Sequence, residues 1–430
     1  MILKRIRPEL EKVLRKNQNG FRPSRSTTGQ ILTIRRLIEG IKEKCLPTVL
    51  LFIDFTKTFD SIHRVKMKEI LLAYGLPEET VNAIMMLYMN TKCIIRTDEG
   101  DTDMFNIIAG VLQGDTLAPY IFIICLDYVL KNSLDLHNNL GFTLTRRKSS
   151  RYPAKNITDI DYADDLAILS NFGKDATTLL HSLEKVASEI GLYINTSKTE
   201  YMSFHQEENV YIQSINKKTI KHVEDFKYLG SYVNNTENDM KIRISKAWAA
   251  LNNMQNIWKS NLPRKIKVNF FRATVESILV YGSTTWTLTV SLRKRLNGTY
   301  TRMLRAILNI SWKQHITNKE LYQDIPEISD TIRRNRLRLS GHCWRNKEEV
   351  VSDLILWQPS HGRRKRGRPA KTFIDQIMND TGISNIDELK NAMENRDDWK
   401  LRVNVCRQNS MQYCYYYYYY YYYYYYYYYY

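Results

Sequence analysis

Apolar residues fall in short, strand-length runs through the first half of the chain and at helical spacing through the second. Thr48 to Ile53 (TVLLFI) is fully apolar and stops at Asp54, which predicts a buried strand delivering a carboxylate at its C-terminal end. In ITDIDYADDLAILS, Ile160 and Tyr162, then Leu166 and Ile168, alternate with polar or small residues around Asp164-Asp165. That is the pattern of a β-hairpin with an acidic turn at its tip. Helices are expected over Ile2 to Lys16, from a cap at Thr27 or Thr28 to about Glu43, and over His63 to Tyr74, where Gly75-Leu76-Pro77 breaks the pattern. Glu78 to Asn90, Thr116 to Leu130, and Asp175 to Ile190, closed by Gly191, continue the series. Further short strands are expected at Lys92 to Thr97, at Asp103 to Ile107, within GLYINTSKTEYMSF and, with a glycine kink, at Phe226 to Tyr232.

From about Asp239 the period is helical. Ala247, Leu251, Met254 and Trp258 share one face, as do Leu296, Tyr300, Met303, Ile307 and Ile310; Glu349 to Trp357 and Ile374 to Trp399 are further helical stretches. The fold class is therefore α+β: a mixed domain, then a largely helical one, with the boundary near Gly230 to Asn235. Residues 415–430 are sixteen consecutive tyrosines of the 31 in the chain, a low-complexity tail that encodes no unique core.

Charge narrows the partners. Lys and Arg number 63 against 45 Asp and Glu, a net +18 that suits a polyanion, nucleic acid before an anionic membrane. Residues 331–372 carry twelve basic side chains against three acids, and so half of that excess. The six cysteines are scattered without a CxxC pair and read as reduced thiols; His342-Cys343 has no second pair at finger spacing and reads as structural. The apolar stretch from Tyr120 to Leu130 is too short to span a bilayer and includes Asp127, and no membrane partner is expected.

Two adjacent carboxylates repel one another unless a cation neutralises them, and Mg²⁺ favours carboxylate and phosphate oxygens. Asp54 and Asp164-Asp165, side by side in one sheet, could hold two Mg²⁺ ions about 4 Å apart, the arrangement that activates an attacking hydroxyl and stabilises a leaving pyrophosphate. Spacing alone leaves nucleotidyl transfer and phosphodiester cleavage both open, and an isolated Asp pair is as often a surface turn.

LLFIDFTKTFDSI, GVLQGDTLAPYIF, DYADDLAIL, GLYINTSKTEYM and FKYLGS resemble, in order and spacing, the palm motifs of reverse transcriptases. NQNGFRPSRST and YLGS are similar to the version found in non-LTR (LINE-like) retrotransposon polyproteins. The resemblance covers residues 17–232. It implies a right-hand polymerase with partial fingers and palm over 1–232, a helical thumb-like region over 233–325, a basic nucleic-acid-binding region over 326–405 and the low-complexity tail over 406–430.

It also implies roles. Asp54, Asp164 and Asp165 would be catalytic carboxylates and ligands of two Mg²⁺, with Mn²⁺ as a substitute, and Lys198 would act near the departing pyrophosphate. Phe59 would lie under the sugar of a dNTP, Gln113 and Gly114 would hold template and incoming base, and Tyr162 would line the substrate site. Asp60 reads as a hydrogen-bonding partner. Tyr228, Leu229 and Gly230 would position the primer end, and Arg22 and Arg25 would touch template phosphates. Arg363, Arg364, Arg366 and Arg368, in GRRKRGRPAK, serve equally as a phosphate clamp, an import signal or an A·T minor-groove reader.

The expected partners are thus an RNA template, a DNA primer and dNTPs, and the expected location is intracellular and nuclear. Met1 falls inside a helical pattern with no cap before it, which reads as a chain whose first fingers segment is missing. No residue can be given the triphosphate-binding role. A catalytically inactive, truncated relic that binds RNA or DNA therefore stands as the alternative; a two-metal nuclease is a third reading and leaves GVLQG and YLGS unused.

Overall fold

The computed structural model describes residues 1–404 apart from Asp324; the tyrosine tail, and with it the expected 406–430 segment, lies outside the described residues. They form two compact units. The first comprises Met1–Arg243, Thr285–Thr287 and His342–Gln376, and the second Ile244–Thr284, Leu288–Gly341 and the residues from Ile377 on.

The first unit opens with helices α1 (Ile2–Val13) and α2 (Thr27–Lys44). Ser26, rather than Thr27 or Thr28, caps α2, accepting a hydrogen bond from Gly29 N. Strand β1 (Thr48–Ile53) follows, then α3 (Arg64–Ala73), α4 (Glu78–Tyr88) and α5 (Ala118–Ser133). Two small ladders between α4 and α5 pair Lys92–Cys93 with Phe105–Asn106 and Arg96–Thr97 with Gly100–Asp101. The predicted hairpin is β2 (Asp159–Tyr162) and β3 (Asp165–Ser170), followed by α6 (Gly173–Glu189), β4 (Glu200–Phe204) and β5 (Lys221–His222). Phe226 to Tyr232 is a tight hairpin, not one kinked strand: Lys227–Tyr228 pairs with Ser231–Tyr232 around Leu229-Gly230, both at positive φ.

One five-stranded sheet in the order β5-β4-β1-β3-β2 organises this unit; every neighbouring pair is antiparallel except β4–β5. Central β1 is apolar throughout because both of its faces are covered. Val49, Leu51 and Ile53 belong to a core shared with α5 and α6, whereas Leu50 and Phe52 join a second core with Ile34, Leu37, Ile38 and Ile41 of α2. The sheet with its covering helices is the α+β polymerase palm that the motifs imply.

Domain boundaries are the main departure from the sequence reading. Residues 342–376, expected within a separate basic region, belong to the first unit. Leu354 is buried in the α2-side core, the Trp357 ring lies 6.3 Å from Phe142, and Arg36 of α2 donates to Trp357 O at 2.6 Å. Their apolar anchors, hidden among arginines, decide where they pack.

The second unit is helical, as expected. In Val290–Ile307 the side chains of Leu296, Tyr300, Met303, Leu304 and Ile307 are buried. An Arg336–Asp380 ion pair (3.0 Å) and the Trp399 indole N–H donated to Leu337 O (2.6 Å) tie its later helices together. No helix among the described residues is long and apolar enough to cross a membrane.

Candidate active site

Register brings the acids together. Ile53 of β1 pairs with Leu166 of β3, and one further antiparallel step sets Asp54 opposite Asp165 at the hairpin tip. The Asp54 main chain is held on both sides by the loop after α6: its N–H donates to Thr199 Oγ1 (3.2 Å) and its carbonyl accepts from Asn195 N (2.7 Å). Asp164 Oδ2 accepts from Thr58 Oγ1 at 3.2 Å. Asp165 is open to solvent on one side yet hemmed in by protein. Burial, then the charges of Asp164 and Asp54, push its carboxyl up to about 6.

These carboxylates stand within electrostatic reach but not in a cage: among the described residues no three Asp, Glu, His or Cys side chains are drawn together at ligand distance. A divalent cation nevertheless fits the donor set, because Asp54 Oδ2 is buried without a hydrogen-bond partner and Asp165 is held back from ionising by its neighbours. Asp54, Asp164 and Asp165 are the side chains that would hold it.

The tip is clamped from outside by residues to which the sequence pattern gives no role. Residues 17–19 run along the edge of β2: Asn19 N donates to Asp161 O (2.9 Å) and Asp161 N to Asn17 O (3.3 Å). Gln18, fully buried, grips the turn residue Ala163 at both ends. Its Oε1 accepts from Ala163 N (2.8 Å) and Gly20 N (2.7 Å), and its Nε2 donates to Ala163 O (3.2 Å). Ala163 is held at φ +53°, and a Cβ on Gly20 would stand 2.2 Å from its nitrogen. Tyr228, also buried, donates its hydroxyl to Asp165 O (3.2 Å) from the opposite side.

Behind the hairpin lies a second missed device. Asp159 and Asp161 of β2 are fully buried, and both meet the buried Arg15 guanidinium, at 2.6 and 3.1 Å. Arg15 also pairs with Asp135 (2.8 Å), while its N–H donates to Asp127 Oδ1 (2.9 Å). Burial works against the charge of Arg15, but Asp159 and Asp161 outweigh it and keep the group protonated. Burial also opposes ionisation of Asp159, but Arg15 overrides it and holds the carboxyl low; burial together with Asp159 raises Asp161. The sequence signal was present: two acids at i and i+2 in an otherwise buried strand need a buried cation.

The other expected residues sort by position. Phe59 is half-buried, 4.7 Å from Phe122 and edge-on to Phe21 at 6.4 Å. The loop bearing Gln113 is fastened to the same segment: Val111 N donates to Phe59 O (2.7 Å) and Gln113 Nε2 to Asp60 Oδ1 (3.0 Å), the hydrogen-bonding role foreseen for Asp60. Gly114, at φ +92°, faces open space. Tyr162 is half-buried against the α5-side core. Lys198 is exposed, one turn from Asp54, with its N–H donated to Asn195 O (3.2 Å). Leu229 and Gly230 form a turn whose Gly230 carbonyl accepts from Arg243.

Arg22 and Arg25 depart from expectation. Arg22 is buried and pairs with Glu11 (2.8 Å) while donating to Arg15 O and Gln18 O; Arg25 donates to Lys16 O (2.7 Å), Asn19 Oδ1 (2.8 Å) and Glu348 O (3.0 Å). Both brace the loop that carries Gln18, leaving their guanidinium groups turned to protein rather than to phosphate. Arg363, Arg364, Arg366 and Arg368 do stand exposed. Cys343 is buried and His342 shares a hydrogen bond with Ser24 O (3.0 Å), the structural role read for that pair.

Comparison with known proteins places the chain among relatives. The relatives include a transposon-derived protein of Caenorhabditis elegans, 29% identical over 53% of this chain and 86% of its own length. Pol polyproteins of R2 retrotransposable elements from Nasonia vitripennis and Drosophila melanogaster are 25% and 21% identical over 49% and 50% of the chain, which spans 20% of each. Among solved structures, a Candida albicans telomerase in complex with a telomeric RNA fragment aligns over 85% of this chain and 59% of its own, at 10% identity and a TM-score of 0.40. The family model described as reverse transcriptase (RNA-dependent DNA polymerase) matches residues 1–233, more than half of the sequence and the whole of the sheet that carries Asp54, Asp164 and Asp165. The chain belongs to the reverse transcriptase family.

Proposed function

We propose that the chain is the RNA-directed DNA polymerase part of a non-LTR retrotransposon product, joining a primer 3′-OH to the α-phosphate of a dNTP on an RNA template. The observation that carries the proposal is the meeting of Asp54 with the Asp164-Asp165 tip, where a buried Asp54 oxygen has no protein donor. Two Mg²⁺, or Mn²⁺, held there would polarise the attacking hydroxyl and the leaving pyrophosphate. Asp54 is set by the Thr199 and Asn195 bonds, and Asp164 by Thr58. Gln18 and Tyr228 fix the backbone of the turn, so that only the carboxylate side chains would have to close on a cation.

Phe59, with Phe122 behind it, offers a ring edge against which a 2′-OH would clash, favouring dNTPs. Gln113, steadied by Asp60, would meet the template base, and the exposed Lys198 the departing pyrophosphate. Leu229-Gly230 would seat the primer end, and the exposed arginines from Arg363 to Arg368, on a basic chain, suit a nuclear element that handles RNA and DNA. Primer extension on an RNA template with Mg²⁺ and dNTPs tests the reading. Incorporation by the wild type but not by Asp164→Ala/Asp165→Ala supports it; equal incorporation by both refutes it. Binding without incorporation selects the inactive relic.

A further inference from the structure

At the end of the sheet away from the carboxylates, four stretches bring cations together. β1 begins at Thr48, opposite Phe204 of β4, and ends beside the hairpin tip. Its six residues separate that beginning from Asp54 by about 20 Å. Around the beginning lie Lys42 and Lys44 at the end of α2, His205 just after β4, Arg146 just after the strand Phe142–Thr145, and the residues around Arg363.

The basic segment is fastened there by its main chain. Arg363 N donates to Lys44 O (2.8 Å) and Lys365 N to Glu43 O (3.2 Å). Gly362, at φ +91°, comes so close that a Cβ would stand 2.4 Å from Lys44 O. Both flanks are tied to α2 as well, Trp357 O by Arg36 (2.6 Å) and Phe373 N by Glu39 (3.1 Å). The charges feel one another: burial lowers the proton affinity of Lys42, with Asp225 opposing and Lys365 adding to it, and after burial Lys365 and Arg146 hold His205 and His361 toward the neutral form.

Basic side chains at a helix C-terminus complement its dipole, and this accounts for Lys42 and Lys44. It does not account for Arg146 or Arg363. Nearby acids offset the set only in part: Asp225, Glu39 and Glu43 stand against Lys42, Lys44, Arg146, Arg363, Arg364 and Lys365, and Glu39 is itself paired with Arg36. Lys42 donates one hydrogen bond to Asn234 O (3.1 Å) and remains exposed.

We propose that this face holds the sugar-phosphate backbone of duplex nucleic acid, about six base-pair steps from the carboxylates at 3.4 Å per step. It rests on the polymerase reading only for the source of that duplex, the template–primer helix. Cations set by main-chain bonds are pre-organised for the regular phosphates of a helix. A single-strand site would offer rings for stacking, whereas Phe204 at the edge of the face is half-buried, with Lys42 Nζ 6.0 Å from its centroid.

The test is binding of a labelled RNA–DNA hybrid duplex to the full chain, followed by fluorescence anisotropy across a salt series without Mg²⁺ or dNTPs, so that failed catalysis does not enter. The slope of log K against log salt should become shallower by about 0.9 for each of the single variants Lys42→Gln, Lys44→Gln, Arg146→Gln and Lys365→Gln, and by 3 to 4 for the four together. Lys42→Arg/Lys44→Arg/Lys365→Arg should keep the wild-type slope. Unchanged slopes in the glutamine variants overturn the proposal. Competition by the unlabelled single strand as effective as by the duplex overturns its assignment to a helix.

Discussion

Replacing Arg15 by Met should destabilise the first unit by about 4 kcal/mol at pH 7, and by much less at pH 5. Arg15 is the cation that Asp159 and Asp161 share, at 2.6 and 3.1 Å, and both acids are fully buried. Asp161 already has its carboxyl raised, so the added cost falls on Asp159, whose carboxyl Arg15 holds low. Without the guanidinium, Asp159 escapes burial as an anion by taking a proton. Taking up that proton at pH 7, against an ordinary value near 3.9, costs about 4 kcal/mol, inside the ~3–5 kcal/mol range for halving a buried pair.

The pH dependence has opposite signs in the two proteins. In the wild type the Asp159 contribution is present above about pH 3.9 and is lost as pH falls through its depressed folded value. In Arg15→Met the folded value is raised, so stability falls by about 1.4 kcal/mol per unit as pH rises above ~3.9. The gap between the proteins should therefore shrink to about 1.5 kcal/mol at pH 5. Urea unfolding at the two pH values measures it, with hydrogen exchange of the β3 amides locating the loss. A gap below about 1 kcal/mol at pH 7, or one that does not change with pH, would refute the reasoning. Arg15→Met/Asp159→Asn/Asp161→Asn should recover most of the loss, because neutral amides carry no charge to bury.

Gln18→Ala strands the Ala163 and Gly20 N–H groups in a buried place, at about 1–3 kcal/mol each, and should lower the primer-extension rate with template–primer affinity unchanged; an affinity loss of the same size would contradict a positioning role. Gly20→Ala should be at least as damaging to extension, since its Cβ would meet Ala163 N at 2.2 Å, and wild-type extension would show that the turn can move aside. Tyr228→Phe removes one hydroxyl bond to Asp165 O and should cost about 0.5–1.5 kcal/mol in thermal or urea unfolding. With the Asp165 carboxyl at about 6, protons compete with the cation below that pH, so the Mg²⁺ needed for half-maximal extension should rise about tenfold per unit as pH falls further below 6; a flat requirement down to pH 5 would exclude Asp165 as a ligand.

The sheet was legible where the residues leave no choice. TVLLFI has strand length and no charged residue, so it had to be covered on both faces, and the acid that follows it had to fall at the end of that central strand. The DYADDLAIL alternation gave the hairpin for the same reason. Arg15, Asp159 and Asp161 were opaque because local pattern shows charge but not its long-range partner; 146 positions separate Arg15 from Asp161. Arg22 and Arg25 were expected at phosphates on the strength of the resemblance, while their guanidinium groups point inward to loop carbonyls. In 342–376 the dense charge hid Leu354, Trp357 and Phe373, the residues that fix that segment to the first unit.

The clamp on the acidic turn also sets a schedule for making this protein. Gln18 and Ala163 are 145 residues apart, so a ribosome adding about 5–20 residues per second exposes the first roughly 7 to 30 s before the second. Until β2 is made the Asn17–Gly20 segment has no edge to dock on, and for most of that interval Arg15 lacks all four carboxylate partners, the earliest of which, Asp127, is itself 112 residues downstream. The N-terminal segment thus waits for the hairpin, and a chain stopped before Ala163 would lack both the acidic turn and the Asn195 and Thr199 bonds that set Asp54.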